Sequence, residues 1–264
     1  MSNSIPADFA LASACIGGPN KNTIYLLDRY TTKDDFSNYT IVYAFDTVTA
    51  TWSTPNISGQ IPISRQQFQA VDDTNGKIYM FGGTNFPNFN DIIFNDIQIL
   101  DTLSLTWTQG SNVSAPKRRV DFTATILNNG IILYIGGFAV NTIYMSEIRT
   151  YNTNNNSWDC TGDTLNSRSC HTAVLSPDGH VIIYGGNIDG STDQSQILAS
   201  LDTTVNTYQW SIKPMIDTLH HPDLTISPHD TLNAGVIVVV VVPIAVLAII
   251  IAWLKNSKFA IICY

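Results

Sequence analysis

Charge is scarce in this chain of 264 residues. Only 13% are Asp, Glu, Lys or Arg, and Glu147 is the sole glutamate. Thirteen Lys and Arg face 21 Asp and Glu, with no basic run, which excludes an ordinary nucleic-acid binder. A disordered acidic tail is excluded as well, because 44% of the residues are hydrophobic. Surface helices are poorly supplied with Glu, Lys and Arg, whereas Val, Ile, Thr, Tyr and Asn are plentiful, a balance that favours strands and turns. Four cysteines, at 15, 160, 170 and 263, form no CxxC pair, so a zinc ribbon or thioredoxin-like motif is absent.

One long apolar run is present. Residues 234–254 carry no charge, and at about 1.5 Å per residue a helix of this length matches the ~30 Å hydrocarbon core of a bilayer. A transmembrane helix is expected there, followed by a short cytoplasmic tail at 255–264. Lys255 and Lys258 after the run, and Asp223 and Asp230 before it, place the C-terminus in the cytoplasm by the positive-inside rule. Residues 214–233 contain three prolines and no apolar period and read as a stalk. Its His220, His221 and His229 have no fixed scaffold to make a metal site. Residues 1–20 hold no Lys or Arg and make no convincing signal peptide. Either the chain is tail-anchored with a cytosolic front, or its beginning lies upstream of Met1.

Within residues 1–213 a pattern recurs about every fifty residues. Apolar runs end in Gly82-Gly83, Gly136-Gly137 and Gly185-Gly186. About twenty residues after each come Asp101-Thr102 with Trp107, Asn152-Thr153 with Trp158, and Asp202-Thr203 with Tyr208 at the tryptophan position and Trp210 two beyond; Asp46-Thr47 with Trp52 is an earlier copy. Arg65, Arg119 and Arg168 precede the glycine pairs, and hairpin turns such as Asn128-Asn-Gly130 lie between. In the first, degenerate copy Leu27-Asp28 stands where the glycines belong. From Phe9 to Ser211 this arrangement resembles the kelch repeat, and the resemblance implies one four-stranded β-propeller blade per copy. The expected fold is all-β: a kelch-type propeller of about four blades, a partial or open ring, plus the C-terminal helix. The glycines and Trp52, Trp107, Trp158 and Tyr208 are read as structural, the aromatics buried between blades. Kelch propellers resemble rings of five to seven blades, so an N-terminal truncation would account for missing blades and missing signal together.

No catalytic motif appears. Galactose oxidase has a catalytic domain that resembles a kelch propeller, and the resemblance implies histidine and tyrosine ligands for its copper. The repeats here offer only His171 and His180. The expectation is therefore no enzyme, no cofactor and no metal: a binding or adhesion module for a protein or glycan partner, extracellular or lumenal, with a tail-anchored cytosolic scaffold as the alternative and, after it, a degenerate galactose-oxidase-like copper oxidase. The loop after Gly83, with Phe86, Asn88, Phe89 and Phe94, is the expected contact surface, since aromatic anchors suit interfaces. Sequons at Asn38, Asn56 and Asn112 are candidate glycan sites, with Asn155 too near Trp158. Cys160 and Cys170 are a candidate disulfide in an oxidising compartment.

Overall fold

The computed structural model describes residues 12–27, 42–85, 92–139, 148–161, 167–188, 197–205 and 207–214. All lie in the first of two compact units, Met1–Met215. The expected spanning helix, stalk and tail fall outside them. Among the described residues no helix is long and apolar enough to cross a membrane.

Blade 1 is built of β1 (Ser13–Gly17), β2 (Thr23–Leu27), β3 (Val42–Asp46) and β4 (Thr51–Ser53). The short β5 (Ser58–Gly59) then leads to blade 2: β6 (Ala70–Asp72), β7 (Lys77–Phe81), β8 (Ile97–Asp101) and β9 (Thr106–Gln109). Blade 3 holds β10 (Thr123–Ile126), β11 (Ile131–Ile135), β12 (Ile148–Asn152) and β13 (Ser157–Thr161). The two-residue β14 (Arg168–Ser169) precedes blade 4, which uses β15 (Thr172–Leu175), β16 (His180–Tyr184), β18 (Ile197–Asp202) and β19 (Gln209–Pro214), with β17 (Asn187–Ile188) paired to β14. Strands cross each blade in chain order, antiparallel throughout, and β5 adds a parallel strand to the outer edge of blade 2. The first strands touch one another in the row β1, β6, β10, β15, so they line the axis. This is the architecture of a four-bladed propeller.

The repeated residues build this fold in three ways. In the outer hairpins the Asp or Asn carboxyl or amide oxygen closes its own turn. Asp46 Oδ1 accepts from the N–H of Val48 and Thr49, and Asp101 Oδ1 from Leu103 and Ser104. The following threonine reaches sideways to the neighbouring turn. Thr102, Thr153 and Thr203 donate to the carbonyls of Gly76, Gly130 and Gly179. Each outer hairpin is thereby tied to the preceding one.

The glycine pairs join the blades. The strands before them stop at Phe81, Ile135 and Tyr184, as the repeat predicts. Gly136 has φ +63°, and a Cβ there would lie 2.3 Å from the Arg168 carbonyl of blade 4. Gly83 and Gly137 then donate to the carbonyls of Arg119 and Arg168 in the next blade, at 3.0 and 2.8 Å. Only glycine lets two backbones approach so closely. The arginines are the third device. Arg65, Arg119 and Arg168 are 3%, 0% and 1% exposed. Each guanidinium donates to the carbonyl of the first glycine seventeen residues on, at 3.2, 3.1 and 2.6 Å.

Two apolar clusters fill the gaps between blades. One joins blades 1, 2 and 3 around Phe81, Trp107, Tyr134 and Trp158; the other joins blades 3 and 4 around Leu133, Ile135, Ile183 and Leu201. Trp107 and Trp158 are buried as expected. Trp52 is only half-buried, its ring 4.9 Å from Phe45, because that face of blade 1 has no blade against it among the described residues. The register also corrects the last copy. Trp210 pairs with Leu201 as Trp158 pairs with Tyr151, so Trp210 and not Tyr208 holds the tryptophan position. The turn is two residues longer there, since Asp202 faces Gln209 where Asp101 faces Thr106. Tyr208 still packs against the second cluster.

Candidate functional site

Antiparallel pairing puts the start of β6 and the end of β7 at one end of blade 2, and the same holds in blades 3 and 4. The arginine corners, the glycine pairs and the loops after them therefore share one end of the propeller. At its axis a concavity of about 200 Å³ is lined by Ala12, Gln67, Phe68, Gln69, Asp121, Phe122, Cys170 and His171. Four separate blade entries contribute to it.

Its geometry comes from a strained corner repeated three times. Gln67, Asp121 and Cys170 each stand two residues after the arginine, and each is left-handed, with φ of 57°, 54° and 55°. Such a backbone costs on the order of 1–3 kcal/mol for a residue other than glycine and concentrates at binding sites. The corners are linked: Asp121 N–H donates to the Gln67 carbonyl at 3.2 Å, and Cys170 N–H to the Asp121 carbonyl at 2.9 Å. The next residue turns inward, as Phe68, Phe122 and His171, all buried.

His171 replaces the phenylalanine of the other copies. Its Nε2 shares a hydrogen bond of 2.9 Å with Thr123 Oγ1, while its buried Nδ1 has no partner among the described residues. Burial, then the charge of Arg168, push its pKa down to about 4, so the ring is neutral at physiological pH. Burial raises the carboxyl pKa of Asp121. The concavity thus offers one acid, two amides, a thiol and aromatic walls, a set suited to polar and apolar contacts with a ligand. Among the described residues no group of three or more His, Cys, Asp or Glu is placed to hold a metal ion.

Of the loop residues expected to make contacts, Phe86, Asn88 and Phe89 lie outside the described residues. Phe94 is half-buried beneath Arg65, whose guanidinium carbon sits 3.9 Å from the ring centroid. Arg65 also pairs with Asp96 at 2.6 Å. Burial acts to raise the Asp96 pKa, but the hydrogen bonds and charge of Arg65 outweigh it and hold the carboxyl below its usual range. Phe94 therefore forms part of the arginine's seat.

Asn56 and Asn112 are exposed, and Asn38 lies outside the described residues. The disulfide between Cys160 and Cys170 is not formed; both are exposed thiols. Cys160 is on β13, the outermost strand of blade 3, and Cys170 is at the axial corner entering blade 4, so the two occupy opposite radial ends. The repeat pattern did not single out the axial mouth. The signal for it is a fixed position that changes chemistry from copy to copy: Gln67, Asp121, Cys170 behind constant arginines.

Four-stranded blades joined by arginine-clamped glycine pairs around one axis define a kelch-repeat β-propeller. The chain belongs to that family: its residues 12–222 match the KLHDC2/KLHL20/DRC7 Kelch-repeats domain. It is similar to Kelch domain-containing protein 3 of Rattus norvegicus, 36% identical over 159 residues, covering 55% of this chain and 40% of the relative. Kelch domain-containing protein 1 of Mus musculus is 28% identical over 152 residues, covering 56% and 36%. Acyl-CoA-binding domain-containing protein 4 of Arabidopsis thaliana is 27% identical over 175 residues, covering 65% and 25%. The chain spans less than half the length of these relatives.

Proposed function

We propose that this protein is a non-enzymatic, membrane-anchored kelch module that presents the axial mouth and its surrounding loops to protein or glycan partners. The observation that carries the reading is the division of labour within the repeat. Positions that hold blades together keep their chemistry, while positions facing the mouth change from copy to copy and are held in strained conformations. A surface selected for recognition has that form. The relatives, two of them named only for the kelch domain, fit a scaffold that binds.

Anchoring rests on the apolar run 234–254, and orientation on Lys255 and Lys258 behind it. In this reading the propeller is extracellular or lumenal, with Asn56 and Asn112 open to glycosylation. The test uses the native protein in intact cells. Its gel mobility is expected to shift after glycosidase treatment, and protease applied to the surface should reach the blades. No shift, with cleavage only after permeabilisation, would replace this orientation by a tail-anchored cytosolic scaffold.

A further inference from the structure

The axial mouth holds one carboxylate that nothing neutralises. Asp121 lines the concavity, and among the described residues no side chain donates a hydrogen bond or brings a positive charge to its carboxyl. Other half-buried acids of the propeller are answered. Asp96 is paired with Arg65, and Asp72 Oδ1 accepts from the Ile16 N–H at 3.3 Å with the charge of Lys21 beside it. The buried arginines next to the corners are held on glycine carbonyls, Arg119 on Gly136 and Arg168 on Gly185. Lys117 and Arg118 are exposed on the linker from blade 2 and do not line the concavity.

The rest of the mouth extends the same chemistry. His171 is 6% exposed, and its Nδ1 has no partner among the described residues. With Nε2–H donating to Thr123 Oγ1, that nitrogen is a lone-pair acceptor. Burial keeps the ring neutral, so it adds an acceptor and no repelling charge. Phe68 and Phe122 give the wall aromatic faces, which attract a cation and pack against an alkyl stem. At about 200 Å³ the concavity is smaller than the roughly 300–1,000 Å³ of pockets for drug-sized ligands, and it has room for one long side chain. The rim beside the acid is apolar. Ile63 and Phe138 are 46% and 41% exposed. Phe138 pairs with Val120, the residue before Asp121, and the Ile63 carbonyl seats Arg65, two residues before Gln67.

We infer that the mouth takes one lysine or arginine side chain of a partner protein, with its cation against Asp121 and its apolar neighbours against Ile63 and Phe138. The inference rests on the reading of the mouth as a recognition surface and names what is recognised there. A half-buried carboxylate with no internal partner gains most from a cation that brings its own hydrogen-bond donors. The net charge of −8 draws a basic partner towards the propeller and repels an acidic one. A neutral glycan brings no charge to answer the acid, so the site favours a protein.

The test uses the purified full-length chain in detergent micelles with pools of peptides, N-acetylated and C-amidated so that neither terminus is charged. Each pool has one fixed central residue, random apolar or small flanks and a benzophenone side chain. After irradiation, mass spectrometry maps which pools label the segments that line the mouth. Pools fixed as Arg or Lys are expected to label the mouth about tenfold more than pools fixed as Glu or norleucine, the size of one charge-assisted pair. Asp121→Asn should abolish that preference. It should keep the wild-type near-ultraviolet circular dichroism, because Asn has the same size and adopts the left-handed backbone of that corner. Equal labelling of the mouth by all pools, or a preference for Glu, would overturn the cation and leave recognition at the mouth standing. A preference for Arg or Lys that survives Asp121→Asn would overturn it too, since the cation would then sit elsewhere. No labelling of the mouth by any pool would overturn both the inference and the reading on which it rests.

Discussion

Arg119 is fully buried, and its guanidinium donates to the carbonyls of Gly136 and Lys117 at 3.1 and 3.2 Å. One side chain thereby pins the corner that enters the blade to the glycine turn that leaves it. The glycine then meets the next blade's backbone. Gly136→Val is expected to destabilise by about 3 kcal/mol, combining overpacking against the Arg168 carbonyl with a disallowed φ. Gly185→Val, where a Cβ meets nothing within 4 Å, should cost only the backbone strain, about 1–2 kcal/mol. Denaturant midpoints compare the two; equal shifts would contradict the joint. His171 makes a second prediction. Unfolding returns the ring to a pKa near 6.5, so between pH 6.5 and 4 the unfolded chain takes up a proton that the folded chain refuses. Stability should fall by roughly 2–3 kcal/mol across that window as pH drops. His171→Phe, matching Phe68 and Phe122, should flatten the fall. Equal losses in wild type and variant would refute the assignment.

Within a blade, the outer hairpin of blade 3 shows how turns fix strand order. Asn156 is left-handed, and its Oδ1 accepts from the Tyr151 hydroxyl and the Ser111 N–H, both at 2.6 Å. Trp158 Nε1–H donates to the Ser111 carbonyl, also at 2.6 Å. One amide thus joins two blades, and burial pushes the Tyr151 hydroxyl up to about 12. Asn156→Ala leaves that hydroxyl and an N–H without their acceptor and should cost about 2–3 kcal/mol in chemical denaturation. Asn156→Gly should recover only the backbone share. A loss in Asn156→Ala of under about 0.5 kcal/mol, the size of an ordinary surface change, would mean water replaces the amide. The strands, the glycine turns and the Asp-Thr hairpins were legible in the sequence because each is a local pattern of adjacent residues. The tryptophan of blade 4 was not, since a turn two residues longer moves the register from Tyr208 to Trp210. The arginine clamp showed its position in the sequence but not its role, because its acceptor lies seventeen residues away. The mouth was least legible. Gln67, Asp121 and Cys170 come together only when three corners, about fifty residues apart, close around one axis.

Across the whole molecule, these blades form a frame whose mouth differs in chemistry at each corner, the form of a surface for recognition. Photo-crosslinking detects a partner seated at the mouth. A benzophenone amino acid placed at Ala12, which lines the mouth, is compared with one at Leu103, which is 57% exposed on a distal hairpin turn. Both full-length variants are irradiated in cells that express the protein naturally and resolved by mass. A discrete adduct is expected from Ala12 that is absent from Leu103 and is lost when Asp121→Lys is added. No adduct from Ala12, or the same adducts from both positions, would contradict it.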